Sequence, residues 1–125
     1  MAQNYKDLLV WKKSMELVAN IYRLSQGFPK EETYGLTSQM RRSAVSIPSN
    51  IAEGKGRRTA AEFQQFLVQS RGSLYELETQ LQIAGDLGYV KISMVEEMKI
   101  KTTEIAKMLN ALIEAVKRQK AVANN

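Results

Sequence analysis

The sequence predicts an all-α protein, an up-down antiparallel four-helix bundle, and three observations support this prediction. Residues that favour helix dominate the composition, whereas the 125 residues include only 2 prolines and 7 glycines. Apolar side chains recur in steps of three and four residues along four segments, which is the spacing of one helix face. Short connections join these segments, so sequential helices should lie antiparallel and adjacent. We expect a single domain that spans residues 1–125.

The first predicted helix spans residues 8–25. Asp7 is a suitable N-cap, because its carboxylate can accept a hydrogen bond from a backbone N–H of the first turn. The segment Gly27–Pro29 should end the helix, since glycine and proline both interrupt a helical pattern. The apolar face comprises Trp11, Met15, Val18 and Tyr22, widened by Val10, Leu17 and Ile21.

The second predicted helix spans residues 36–53 and contains a proline. Pro48 removes one backbone hydrogen bond and crowds the carbonyl of Ala44, so we expect helix two to be bent at Pro48. Gly54 and Gly56 should end the helix, because glycine readily adopts the left-handed conformation. The side chains expected to face the core are Leu36, Met40, Ala44, Ile47 and Ile51. Water could satisfy the freed carbonyl, as could donors on Ser46, Ser49 or Asn50.

The third predicted helix spans residues 60–85. Thr59 and Glu62 match the capping box, in which the two side chains satisfy backbone donors reciprocally. A repeat of seven residues, typical of the seam of a bundle, follows this start. It runs through Phe63, Leu67, Ser70, Leu74, Leu77, Leu81 and Ala84.

The fourth predicted helix spans residues 94–118, and Ser93 with Glu96 forms a second match to the capping box. The same step of three and four residues continues along this helix. The polar tail, residues 119–125, should fray, because chain termini that bury little surface are poorly held.

The residue types that are missing exclude several functions. The chain has no Cys and no His, which removes disulfides, thiolate metal sites and the commonest general base. The carboxylate pairs, Glu31/Glu32, Glu76/Glu78 and Glu96/Glu97, do not share a helix face. We therefore expect no catalytic residue, no metal and no cofactor. There is no apolar run of membrane-spanning length and no signal peptide, so a cytoplasmic protein without a membrane partner is expected.

The charge is +5 overall and unevenly distributed along the chain. Residues 1–58 hold ten Lys/Arg against five Asp/Glu, residues 59–90 hold one against four, and residues 91–125 hold seven against four. This asymmetry indicates an anionic partner, with nucleic acid as the first candidate. A solvated lysine surface without any partner is the alternative interpretation.

The candidate nucleic-acid-binding surface consists of seven cations. Three of them surround the glycines of the connection between helices two and three, where backbone donors could hold a phosphate. A structural role for Arg41 or Arg42, paired with Glu53 or with an acid of a neighbouring copy, is the alternative. The seven predicted residues are Lys12, Lys13, Arg41, Arg42, Lys55, Arg57 and Arg58.

Four segments resemble the four-helix-bundle proteins encoded by intervening sequences of bacterial 23S rRNA genes, also called S23 ribosomal proteins. These are residues 7–13 (DLLVWKK), 28–42 (FPKEETYGLTSQMRR), 45–54 (VSIPSNIAEG) and 72–81 (GSLYELETQL). SIPSNIAEG is the most specific of them. The resemblance extends from Tyr5 to about Leu112.

This resemblance implies a homo-oligomer, most specifically a homopentamer, that binds RNA or another nucleic acid. Some relatives resemble the accessory protein of diversity-generating retroelements, so a reverse transcriptase or another nucleoprotein is also an expected partner. Small side chains on helix two allow close contact between helices, and we assign the oligomer interface to them. The interface residues are Ser43, Ser46, Pro48, Ser49 and Asn50.

Three classes of function are therefore compared. A basic, non-enzymatic oligomer that binds RNA or a nucleoprotein agrees best with the charge and the resemblance. The second class is a protein-interaction scaffold or a structural bundle without a nucleic-acid ligand. The third class, a helical ribonuclease of the HEPN type, depends on a histidine that this chain lacks.

Overall fold

The structure, a computed structural model, describes residues 4–123 and confirms the predicted fold. Four long helices account for most of this region, and two single-turn 3-10 helices precede the first and the second of them. No strand occurs between residues 4 and 123. The helices are α1, Leu9–Ser25; α2, Leu36–Lys55; α3, Ala60–Asp86; and α4, Ile92–Ala123. None of these helices is long and apolar enough to cross a bilayer.

Sequential helices pack side by side in antiparallel order, and α1 closes the bundle by contacting α4. Two hydrogen bonds between α3 and α4 establish the register: Thr102 Oγ1 donates to Glu78 Oε2 (2.8 Å) and Arg71 donates to Asn110 Oδ1 (2.9 Å). The centre is apolar and fully buried. Its largest members are Leu17, Ile21, Met40, Ile47, Ile51, Leu67, Leu74, Leu77, Ile105 and Leu109.

The start of α1 differs from the predicted start. The residue before this helix is Leu8, which supplies no side-chain cap. Asp7 instead closes the short 3-10 helix Tyr5–Asp7, where it forms a capping box with Asn4. The prediction that Asp7 caps α1 is therefore wrong, because its carboxylate accepts from Asn4 N (3.3 Å).

Helix α2 continues through Pro48 to Lys55. The side chains that were expected to satisfy the freed carbonyl of Ala44 form hydrogen bonds with other groups. Ser49 Oγ donates to the carbonyl of Val45 (2.8 Å), and Asn50 Nδ2 donates to the carbonyl of Ser46 (2.8 Å). Ser49 and Asn50 thus bond the carbonyls one and two residues after Ala44, and Ser46 Oγ bonds Ser73, so none of the three donates to Ala44. The bend at Pro48 stays a prediction.

Of the two glycines predicted to end α2, Gly56 does so, without the left-handed conformation, whereas Gly54 has a different role. Gly54 lies inside the helix and is buried against α3, where an added Cβ would meet Phe66 Cβ at 2.6 Å. Gly56 caps the helix with a right-handed φ of −82°. The left-handed conformation occurs instead after α3, at Gly88 (φ 76°), where Tyr89 N donates to the carbonyl of Ala84 (2.9 Å). This bond closes α3 in the pattern of a Schellman motif.

The predicted start of α3 is confirmed, whereas both ends of α4 differ from the prediction. Thr59 Oγ1 accepts from Glu62 N (3.1 Å) at the start of α3. Helix α4 begins at Ile92, so Ser93 lies within it and is not the N-cap. The helix continues to Ala123, so residues 119–123 of the tail that was expected to fray are helical. Residues 124–125 of that tail lie outside the described region.

One carboxylate joins the two connections at the end of the bundle where α2 begins. Glu32 Oε1 accepts from Leu36 N (3.1 Å), and Glu32 Oε2 accepts from the hydroxyl of Tyr89 (2.9 Å). The Tyr89 ring also packs against Phe28, with 5.6 Å between the ring centroids. The hydrogen bond to Glu32, followed by desolvation and by the negative charges of Glu32 and Glu31, raises the pKa of Tyr89 above its ordinary value of 10.0.

We predict that Gly54→Ala destabilises the fold, whereas Gly72→Ala stabilises it. The new methyl of Gly54→Ala would collide with Phe66, and overpacking of this kind costs about 1–3 kcal/mol. Nothing lies within 4 Å of a Cβ at Gly72, so alanine there should contribute about 0.5–1 kcal/mol through helix propensity. Urea unfolding measures both values. Equal stabilities of the two variants would contradict the packing role of Gly54.

We predict that Tyr89 stabilises the fold at neutral pH and loses this effect in alkali. The folded chain holds the phenol proton more tightly than the unfolded chain. The contribution of Tyr89 to the free energy of unfolding is therefore complete below the ordinary pKa of 10.0, and it is lost as the pH rises through the pKa of the folded state. The stability advantage of the wild type over Tyr89→Phe should therefore be constant at neutral pH and shrink as the pH rises above the ordinary pKa of 10.0. Tyr34→Phe, at a 97% exposed tyrosine, is the control. An advantage that does not change with pH would disprove the assignment.

Candidate nucleic-acid interface

The topology brings four terminal segments of the helices to the same end of the bundle. In antiparallel order, the starts of α1 and α3 and the ends of α2 and α4 share one end. Trp11 of α1 and Ala52 of α2 line one groove there, and Gly54 packs on Phe63 and Phe66 of α3. Since Arg71 bonds Asn110, the part of α4 beyond Asn110 lies beside the beginning of α3.

We call the cationic side chains of these four segments the basic end. Residues 4–13, 53–62 and 114–123 hold nine Lys/Arg against four Asp/Glu, whereas the rest of the chain holds nine against nine. The whole net charge of +5 is thus located at this end, and the remaining body is neutral. The nine cations are Lys6, Lys12, Lys13, Lys55, Arg57, Arg58, Lys117, Arg118 and Lys120.

Two cations of the connection between α2 and α3 lie over aromatic rings. The Lys55 ammonium is 5.6 Å from the centroid of the Phe63 ring, and the Arg57 guanidinium is 4.8 Å from that of Phe66. Arg57 also donates to Glu53 Oε1 (2.8 Å), one turn earlier. Cation–π contact holds both charges near the surface of α3, and the ion pair links Arg57 to α2. They also cover the ring faces on which a base would stack.

Other cations of the basic end project into solvent. Lys12 and Arg58 are exposed, as are Lys117, Arg118 and Lys120 of α4. Within residues 4–123 the ion pairs are Arg57–Glu53 and Lys13–Glu104, the latter at 3.8 Å. These five exposed side chains therefore remain available to an external anion.

The backbone of the connection between α2 and α3 is less accessible to a phosphate than the sequence suggested. Gly54 is buried beneath Phe66, and Gly56 N donates to the carbonyls of Ala52 and Glu53. At the start of α3, Glu62 N is already bonded to Thr59 Oγ1. The prediction that the glycines here give a phosphate access to the backbone is therefore wrong, and the exposed side chains are the first candidates for an anion contact.

The side chains of the two adjacent arginines of α2 point in different directions. Arg41 points to the end of α1, where its Nε donates to Ser25 Oγ (2.9 Å) and its Nη2 to the carbonyl of Tyr22 (3.3 Å). Its guanidinium carbon also lies 4.6 Å from the centroid of the Tyr22 ring. Arg41 therefore joins α1 to α2 far from the basic end, which corrects its assignment to the binding surface. Arg42, one residue later, is exposed on the outer face of α2.

The predicted oligomer-interface residues divide into two groups. Ser43 is buried and donates to Glu76 Oε1 (2.5 Å), while Ser46 bonds Ser73 (2.8 Å) and Asn50 bonds Ser46 Oγ (2.9 Å). These contacts lie between α2 and α3 of one chain or within α2, so small residues at Ser43 and Ser46 serve intramolecular packing. This corrects their assignment to an interface. Pro48 and Ser49 instead line a groove between α1 and α2.

The predicted binding surface does not include α4. Residues 119–125 were expected to fray, and Lys117, Arg118 and Lys120 had no predicted binding role. The signal was present, because Ile113 and Val116 continue the apolar face of α4 and are buried. Within residues 4–123, no group of three or more acidic side chains could hold a metal ion.

Comparison with known proteins supplies the family. The family model for the 23S rRNA-intervening sequence protein matches residues 6–111. A crystal structure from Bacteroides thetaiotaomicron, described as a protein with unknown function from the S23 ribosomal protein family, superimposes with a TM-score of 0.79 at 26% identity. The match covers 87% of this chain and 98% of that chain. No curated protein sequence matches. The chain belongs to the 23S rRNA-intervening sequence protein family.

Proposed function

We propose that the protein is a non-enzymatic, homo-oligomeric RNA-binding bundle that holds RNA at its basic end. The observation that carries this proposal is the location of the entire net charge of +5 at one end of a neutral bundle. A phosphate backbone carries closely spaced negative charges, and neutralising them releases condensed counterions. Concentrated cations therefore favour nucleic acid over an isolated anion.

The choice of RNA follows from the family. Its description refers to the 23S rRNA intervening sequence, and the relative of known structure is described as a member of the S23 ribosomal protein family. Both descriptions concern other proteins. They support RNA as the first nucleic acid to test with this chain.

The contacts favour recognition of the backbone over recognition of the bases. The rings of Phe63 and Phe66 lie beneath Lys55 and Arg57 and cannot serve as an open stacking platform. Phosphate contacts position a protein on nucleic acid but carry no sequence information directly. We therefore propose binding that depends little on sequence and strongly on salt.

The absence of Cys and His from the sequence supports a binding role over catalysis. These residues supply the commonest nucleophiles and general bases of hydrolytic sites.

The oligomeric part of the proposal rests on an apolar groove between α1 and α2. The groove has a volume of about 340 Å³, and two of its side chains, Met15 (45% exposed) and Val45 (40% exposed), contact solvent. Pro48 and Ser49 line it too, so part of the predicted interface is retained. We propose that self-assembly covers this groove and that the homopentamer implied by the resemblance is the assembly formed. Repeating the basic end in each copy would then increase avidity for RNA.

A protein-interaction scaffold is the second candidate, and one observation favours it. Helix α3 exposes Val68 (41%), Tyr75 (47%) and Ile83 (42%) at steps of seven and eight residues, which places them on one face. A protein partner, such as a reverse transcriptase or another nucleoprotein, could cover this face. Binding of such a partner without any affinity for RNA would favour this second function.

We predict that Arg58→Glu/Lys117→Glu weakens RNA binding at least about tenfold and lowers the salt slope of binding by about 2, because two phosphate contacts are lost. Fluorescence anisotropy of a labelled RNA hairpin across a salt series measures both quantities. The matched control is Lys30→Glu/Lys99→Glu, the same charge change at exposed residues outside the basic end. Equal losses of affinity in the two double variants would disprove the proposed location.

We predict that the wild type has five times the mass of one chain in solution and that Met15→Glu/Val45→Glu reduces this mass. Two carboxylates in the groove between α1 and α2 would have to be desolvated on assembly, which opposes association. Light scattering coupled to size-exclusion chromatography measures the mass. Ile92→Glu/Ile100→Glu, at 65% and 71% exposed side chains of α4, is the control. A monomeric wild type would refute the assembly, and an unchanged mass of the groove variant would refute the interface.

A further inference from the structure

A second groove lies outside the basic end, between the last turns of α1 and the first turns of α4. It has a volume of about 600 Å³, which is within the range of small-molecule sites. It is larger than the groove between α1 and α2, which has a volume of about 340 Å³. Neither the proposed RNA contact nor the proposed assembly uses it.

The floor of this groove is apolar. Met98 is only 5% exposed, and Leu24 and Val90 are partly buried against the core. Met94, at 37% exposed, completes the floor at its open side. Methionine side chains adapt their shape to a ligand, because they are unbranched and polarisable. The floor could therefore accept an alkyl chain.

The rim of the groove is cationic. Arg23, Lys91 and Lys101 line it, with Glu97 as the single carboxylate. Arg23 Nη2 donates to Asn20 Oδ1 (2.9 Å), which orients the guanidinium beside the groove. The three cations take part in no ion pair within residues 4–123. An excess of positive charge thus borders an apolar floor.

We propose that this groove binds a small amphipathic anion, a fatty carboxylate, with its alkyl chain on the methionine floor and its carboxylate among the three cations. The two halves of the groove match the two halves of such a ligand. The contrast with the groove between α1 and α2 supports the choice, because no cationic side chain lines that groove. A neutral apolar ligand would have no charge to pair with the cationic rim.

Octanoate and its neutral counterpart 1-octanol are suitable probes, with methyl-labelled methionine as the reporter in NMR spectra. Octanoate should shift the methyl signals of Met94 and Met98 in a saturable way. The signals of Met15, in the groove between α1 and α2, and of Met40, in the core, should stay unchanged. Absence of a saturable shift, an equal shift of Met15, or equally tight binding of 1-octanol would overturn the proposal.

Charge reversal tests the rim. Lys91→Glu/Lys101→Glu should raise the Kd of octanoate about tenfold, since two attractions become repulsions. Lys99→Glu/Lys107→Glu, on the outer face of the same helix, should leave the Kd unchanged. Equal Kd values for the first variant and the wild type would overturn the proposal. If that variant does not fold, the salt dependence of octanoate binding to the wild type is the test. Binding should weaken as the ionic strength rises, and salt-independent binding would overturn the proposal.

Discussion

Much of this fold follows from the close approach of α2 to α3. Gly54 allows it, because any larger residue would place a Cβ 2.6 Å from that of Phe66. The buried hydroxyl of Ser70 donates to the carbonyl of Ile47 (2.9 Å), and Ser46 bonds Ser73 across the same contact. These small and polar side chains replace the large apolar side chains of an ordinary bundle seam. Two helices held this closely require only a tight turn between them.

The tight turn has an electrostatic consequence. It brings residues 53–62 to the end of the bundle where α1 begins and α4 finishes, so charges that are distant in sequence become neighbours. Their mutual repulsion opposes folding, and part of it is relieved by Glu53 and by the rings beneath Lys55 and Arg57. An end with nine cations and four acids still has unbalanced charge. A polyanion would balance it, which is why the geometry supports RNA binding.

The sequence predicted the helices better than the roles of single residues. Apolar periodicity identifies a buried face, and it located all four helices to within a few residues, except at the end of α4. It does not say which neighbour each flank of the helix meets. Arg41 and Arg42 are adjacent, yet a step of 100° turns Arg41 towards Tyr22 and Arg42 towards solvent. Gly54 was likewise predicted to end α2, because glycine occurs both at helix ends and where two helices pack closely.

Protection of lysines from acetylation would show directly which end of the bundle RNA contacts. The wild-type protein is acetylated with and without an RNA hairpin, and mass spectrometry measures the reactivity of each lysine. If RNA binds at the basic end, it should protect Lys6, Lys12, Lys55, Lys117 and Lys120. The reactivity of the lysines on the neutral body should stay unchanged, at Lys30, Lys91, Lys99, Lys101 and Lys107. Protection spread evenly over both sets, or confined to the second set, would refute RNA binding at the basic end.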